Sequence, residues 1–261
     1  WAVRTAPLFS TGGDPITTPP TVAAAPDDSG ATRLMLGFGS GQVLPQTLKS
    51  SAQPSIGSHS LYGLWDADLQ AWNALGSDQY AAVTGVTTIA ASTLQVQTIT
   101  EEVDPTSVSE GLRVVSRNAI CWSGGTGCGS NDQFGWRIAL PGLNEQIVYN
   151  PVISDGVFVV NTAIPATENL LACSSVRQSG YTMAIEPDTG GALDKSYFQN
   201  YSTLHGGAVA GLKFSGVGSP TFLSTGIGRY MVTQTIQGTA TGTPVMNPSA
   251  SGRRLTWSRI R

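Results

Sequence analysis

Charge is scarce in this chain: Asp, Glu, Lys and Arg make up 12% of its 261 residues, against roughly a quarter in ordinary soluble domains. The formal net charge is −3, which leaves no basic footprint for nucleic acid or anionic lipid. No apolar run approaches the about 20 residues that cross a bilayer as a helix. Histidine is nearly absent: His59 and His205 stand far apart, and no Cys-x-x-Cys occurs, so nothing has zinc-site spacing. There is no Gly-x-Ser-x-Gly elbow, which leaves a triad built on His205 without support. Calcium loops space several oxygen ligands at alternate positions around a glycine. Asp27-Asp28 and Asp66-x-Asp68 lack that array and are taken as solvated turn acids. An initiator methionine is lacking too; the chain starts at Trp1 in sequence of folded character, so we expect a processed chain or a fragment with any export signal upstream.

What is abundant is turn chemistry around short apolar runs. With 31 glycines, 15 prolines and 40% hydrophobic residues, the composition fits many short strands and is not that of a disordered chain. Residues 150–191 state the plan most clearly. Asp155-Gly156 sits between two apolar runs, a strong hairpin signal. Val157 to Val160 is β-branched and aromatic, suited to a strand buried on both faces. Tyr181, Met183 and Ile185 alternate with smaller neighbours, and Pro187-Asp188 with Gly190-Gly191 end that strand.

Weaker copies follow the same plan. Residues 33–42 (RLMLGFGSGQ) and 60–68 (SLYGLWDAD) predict two strands after a Pro/Thr segment at 15–20. LQVQTIT at 94–100 alternates as one half-buried strand, followed by LRVVS and FGWRIALP. A last block from Gly207 has Pro220 before a strand and a turn at Gly226 to Gly228. Helix is expected only over 66–75 and 78–82, as insertions. The chain is therefore expected to be all-β and a single domain over 1–261, with about four blade-like antiparallel sheets at roughly 7–68, 94–140, 145–191 and 207–261. Units of that length suit propeller blades. A β-sandwich would show turns every 8–12 residues, a regularity this sequence lacks.

Two glycine clusters, Gly37-Phe-Gly39-Ser-Gly41 and Gly124-Gly-Thr-Gly127, lack the strand–helix setting of a phosphate loop and are taken as turn glycines. In an oxidising compartment Cys121 and Cys128 could clip the loop WSGGTGCGS and leave Cys173 free. A Cys128–Cys173 pair and three unrelated thiols remain equally open. Arg253, Arg254, Arg259 and Arg261 interleave with Leu255, Trp257 and Ile260 as the outward face of a last strand, the alternative being a docking tail for an acidic partner.

Several collinear segments together resemble the C-terminal β-propeller of the PilC/PilY family of type IV pilus tip adhesins and biogenesis factors. They are 6–9 (APLF), 15–22 (PITTPPTV), 34–44 (LMLGFGSGQVL), 60–66 (SLYGLWD), 135–141 (GWRIALP), 145–165 (EQIVYNPVISDGVFVVNTAIP), 180–191 (GYTMAIEPDTGG) and 252–260 (GRRLTWSRI). The resemblance implies a quinoprotein-like propeller, part of a larger ring, exported to the cell surface or pilus tip. It implies minor pilins or the tip complex as partners, a host or surface receptor as ligand, and a role in pilus biogenesis and adhesion. The family's calcium loop corresponds to sequence upstream of Trp1, so no cofactor is assigned to residues of this chain and calcium is expected only through upstream residues. An Arg-Gly-Asp tripeptide, present in some members, does not occur.

The expected function is thus a non-enzymatic binding module without catalytic or metal-ligating residues. A quinoprotein dehydrogenase would need a complete propeller and commonly an adjacent cysteine pair, whereas these cysteines are isolated. A self-assembling filament or sheath protein is the remaining alternative, through exposed sheet edges.

Overall fold

Asp155 and Gly156 both take positive φ, 51° and 79°, as a two-residue hairpin turn of the twist-matched kind requires. They join β8 (Val152–Ser154) to β9 (Val157–Asn161), which pair antiparallel with Ser154 opposite Val157. Every residue of β9 is buried, as is every residue of the next strand, β10 (Gly180–Ile185). A strand buried on both faces needs a layer on each side, and the remaining sheets supply them. The computed structural model describes residues 6–26, 32–42, 56–68, 87–103, 111–123, 125, 132–165, 178–199, 201, 209–214, 216–235 and 238–246.

Strands are numbered in chain order. The first sheet has the order β1 (Thr21–Pro26), β2 (Thr32–Gly39), β3 (Ser60–Trp65), β7 (Gly135–Ala139), β4 (Gln95–Gln97). The second runs β5 (Ile99–Val103), β6 (Gly111–Val115), β11 (Val209–Phe214), β10, β9, β8. The third is the meander β12 (Gly216–Thr225), β13 (Gly228–Thr235), β14 (Ala240–Val245). Among the described strands every ladder is antiparallel except that of β4 with β7.

The three sheets stack in series. Between the first and second lies the largest core, with Met35, Leu61, Trp136 and Ile138 from one side and Phe158, Val160, Met183 and Ile185 from the other. Between the second and third lie Val157, Val159 and Ala184 against Phe198, Met231 and Val245. The outer face of the first sheet carries Phe38, Tyr62 and Leu64, covered by Phe9, Ile89 and Leu94. Odd and even residues of β9 thus serve different cores, which follows from the period of two along a strand.

Several sequence expectations need correction. LQVQTIT is not one strand: Gln95–Gln97 joins the first sheet and Ile99–Val103 the second. Thr98 is the crossing point, where its N–H donates to the Ser116 hydroxyl and its carbonyl accepts from Ser116 N–H. Residues 94–140 therefore do not form one blade-like sheet. In place of four such units the described residues form sheets of five, six and three strands, because alternation fixes a strand's faces without naming its neighbours.

Gly37 and Gly39 are not turn glycines but lie inside β2. A Cβ on Gly37 would fall 2.6 Å from Phe158 Cε2, and one on Gly39 2.6 Å from Ile147 Cβ, so bare backbone lets the second layer approach. Pro220 lies within β12 rather than before a strand, where the register to β13 shifts between Val217 and Thr221. A missing ladder donor is tolerated at such an irregularity. The expected helices, apart from residues 66–68, and the arginine-rich end both lie outside the described residues. Among the described residues no helix is long and apolar enough to cross a membrane.

Candidate functional site

The register brings four side chains together at one end of the first sheet. Met35 stands opposite Trp65, and Leu64 opposite Gly135, so Arg33, Trp65 and Phe134 gather at the same edge. Phe134 holds its place by accepting from Trp65 N–H at 2.8 Å and donating to the Thr93 carbonyl at 3.0 Å. The fourth side chain, Trp122, comes from the long connection between β6 and β7 and bridges in parallel to Gln133.

Gln133 is the buried clamp of that connection. Its side-chain Oε1 accepts from Cys121 N–H at 2.7 Å, and its Nε2 donates to Gln95 Oε1 at 3.0 Å. Its backbone adds two more bonds, to the Cys121 carbonyl and from Ser123 N–H. Trp122 is therefore presented on a braced strip. The Arg33 guanidinium lies 4.6 Å from the Trp122 ring centre and 5.2 Å from that of Trp65. Trp65 meets Trp122 edge-on at 5.9 Å and stacks on Phe134 at 6.2 Å. All four side chains are partly exposed. A rigid rim of tryptophans and an arginine is the composition that dominates binding energy at protein interfaces.

The cysteine of this strip, Cys121, is disulfide-bonded. That excludes a chain with three free thiols, and equally a Cys128–Cys173 pair with Cys121 left over. Cys128 and Cys173 both lie outside the described residues. Non-reducing peptide mapping is expected to recover Cys121 linked to Cys128, with Cys173 as the one thiol open to alkylation. Recovery of a Cys121–Cys173 peptide would reverse the assignment. With Cys128 as the partner, closing so short a loop would stabilise by about 2–3 kcal/mol in the chain-entropy account, and reduction would loosen the Trp122 strip before it melts the sheets.

Of the other residues singled out in the sequence, Asp68 and His59 are described and stand apart from this rim. Asp68 uses its carboxylate to hold Thr87, accepting from the backbone N–H and the hydroxyl at 2.9 Å each. That carboxylate braces the connection leading to β4. His59 is buried, at the opposite end of β3 from the aromatic rim. Asp27, Asp28, His205, Gly124 and Gly127 lie outside the described residues. Among the described residues no group of three or more His, Cys, Asp or Glu is placed to hold a metal ion.

Sequence reasoning missed a buried charge cluster among the described residues. Arg113 on β6 pairs with Glu145 through Nη1 and Nη2 at 2.6 and 2.8 Å, and with Glu101 on β5 at 2.6 Å. Its guanidinium lies 3.4 Å from the Tyr181 ring centre. Burial opposes the arginine's charge, yet the two carboxylates outweigh it and its pKa moves up. Burial pushes the Tyr181 phenol up as well, with the Glu101 charge adding. With every partner committed and Arg113 wholly enclosed, this set is structural.

No family model matches the sequence, and no curated protein does. Among solved structures the chain is similar to the C-terminal domain of Pseudomonas aeruginosa PilY1, seen in a crystal structure. The two are 19% identical with a TM-score of 0.61, over 92% of this chain and 47% of that chain. The chain thus spans about half the length of the structure it matches. The likeness shows a shared all-β fold.

Proposed function

We propose that this chain is a non-enzymatic module of the type IV pilus apparatus, part of a β-propeller, that binds a pilus subunit or tip component through the rim of Trp65, Trp122, Phe134 and Arg33. The observation that carries the proposal is the agreement of two likenesses, one of sequence and one of fold. Collinear segments along the sequence resemble the PilC/PilY propeller, and the fold is similar to the PilY1 C-terminal domain over 92% of the chain. Sheets stacked in series, with β9 and β10 buried on both faces, are compatible with consecutive propeller blades. The low charge and braced aromatic rim suit an extracellular binding surface better than a catalytic cleft.

The protein is expected to copurify with sheared pili and to disappear from them when its gene is deleted; pili that never carry it would sink the proposal. Within that assay, Trp122→Ala is expected to weaken capture by pili roughly thirtyfold, the size of a 2 kcal/mol hot spot. Unfolding curves matching the parent's would separate lost docking from lost structure. Undiminished capture by a folded Trp122→Ala protein moves the docking surface elsewhere while leaving the pilus assignment standing.

A further inference from the structure

The third sheet has an open edge. Among the described residues it holds three strands, and β12 stands at the end of the order β12-β13-β14. The first half of β12 is tied to the second sheet, where Asn161 Nδ2 donates to the Gly218 carbonyl at 2.9 Å. Beyond Pro220, residues 221–225 pair with β13 and, among the described residues, have no ladder on their other side. Leu223 is 55% exposed there. The whole strand, GVGSPTFLST, carries no charged side chain. Native proteins cover such edges or guard them with charge, because bare N–H and C=O groups recruit other strands.

The opposite edge is shut where the chain leaves it. Phe198 bridges antiparallel to Val245, and Gln199 N–H donates to the Pro244 carbonyl at 3.1 Å. Met246 N–H donates to the Tyr197 carbonyl at 2.7 Å. The chain after Met246 is therefore barred from turning straight back along β14. It leaves at the hairpin end of the sheet, since Val245 stands opposite Arg229 and Arg229 opposite Ser224. A strand beside β12 would lie three strand spacings from β14, about 15 Å. Residues 247–252 (NPSASG) have loop chemistry, and six residues reach about 20 Å when extended. A strand entering at that end runs antiparallel to β12. The order then becomes fourth, first, second, third, which is the Greek key.

Residues 253–261 (RRLTWSRIR) have the character of a closing strand. Leu255 and Trp257 share one face at the strand period of two, with four arginines around them. An apolar side chain set beside Leu223 takes exposed carbon out of water. The arginines then mark the new edge with charge, which resists a further strand. Residues 216–246 contain no carboxylate, so backbone pairing and apolar contact, not ion pairs, would hold the strand.

We propose that the edge of β12 over 221–225 is a strand-docking site, filled by residues 253–259 of this chain as the fourth strand of the third sheet. Pro220, which has no N–H to give, limits the new ladder at its far end. The arginine-rich segment is then part of the fold and not a free tail for an acidic partner.

The test is made on the full chain. Overhauser contacts between backbone protons of residues 253–259 and 221–225 are expected within one molecule, with slow exchange of the 221–225 amides that point away from β13. Thr256→Pro removes a donor from the docked strand and is expected to speed those amides about tenfold while leaving β9 and β10 unchanged. Mixing labelled with unlabelled chains identifies the source: contacts found only between copies overturn the proposal and give the edge to a second chain. Fast exchange over 221–225 in the parent overturns it by leaving the edge bare. Slow exchange without contacts to 253–259 overturns it as well, because another segment is then the cover. The parent measurements decide even if the variant fails to fold.

Discussion

Arg113→Met is expected to destabilise the protein by roughly 3–5 kcal/mol, the cost of stranding a buried charge. Glu145 is fully enclosed, and besides Arg113 its carboxylate meets, among the described residues, only Gly142 N–H, at 2.9 Å on Oε2. Glu101 is different, with its side chain about half exposed, so water can take over when the arginine is lost. The asymmetry predicts which partner matters. Glu101→Gln should cost about 1 kcal/mol or less, in the range of exposed pairs, whereas Glu145→Leu should approach the cost of losing Arg113. Arg113→Lys should fall between, because an ammonium cannot reproduce the two-pronged contact to Glu145. Urea unfolding with a shared slope gives the comparison. An Arg113→Met protein within 1 kcal/mol of the parent would show that Glu145 finds another partner and that the cluster holds little.

The cost is concentrated because of where Glu145 sits. Gln146 bridges to Ala163 in the hairpin region of the second sheet, and its side chain holds Gln42 beyond the end of β2. Ile147 bonds to Ser40. Three successive residues therefore fasten the two sheets together, and Arg113 fixes the first of them. Losing that anchor should raise amide exchange at Ile147 and Ala163 more than at the β12–β13 hairpin, which belongs to another core.

Local features of this fold were legible in the sequence, and distant ones were not. The Asp155-Gly156 turn depends on two residues that accept positive φ, and the all-buried β9 announces itself through four adjacent β-branched or aromatic residues. Both are short-range properties. The break at Thr98 leaves only a slip of phase, with Leu94 and Val96 on even positions and Ile99 on an odd one, and pairing with β7 and β6 is what reveals it. Gly37 and Gly39 look like punctuation until Phe158 and Ile147 arrive from more than a hundred residues away. The aromatic rim was equally hidden: Arg33, Trp65, Trp122 and Phe134 have no common spacing, and register alone assembles them. Arg113 offered one clue, a lone charge within LRVV, a run otherwise apolar enough to be buried.

Trp136→Ala is expected to cost about 3–5 kcal/mol, as for other large aromatic truncations in cores, and the reason can be isolated. Trp136 is completely buried, meets Phe158 edge-on at 6.2 Å and donates from Nε1 to the Pro187 carbonyl at 3.0 Å. It links β7 of the first sheet to the turn that ends β10 in the second. Gly190 in that turn has φ of 67°, and a Cβ there would fall 2.7 Å from Trp136 Cγ. Gly190→Ala should therefore be destabilising twice over, through the left-handed backbone, about 1–2 kcal/mol, and through collision with the indole. Only the second part depends on Trp136. In the Trp136→Ala background the collision vanishes while the backbone cost stays. A double-mutant cycle is thus expected to show coupling of about 0.5–3 kcal/mol, with Gly190→Ala milder when the indole is gone. Strict additivity would mean that the turn yields to the new methyl group, and that the indole does not fix the approach of the two sheets.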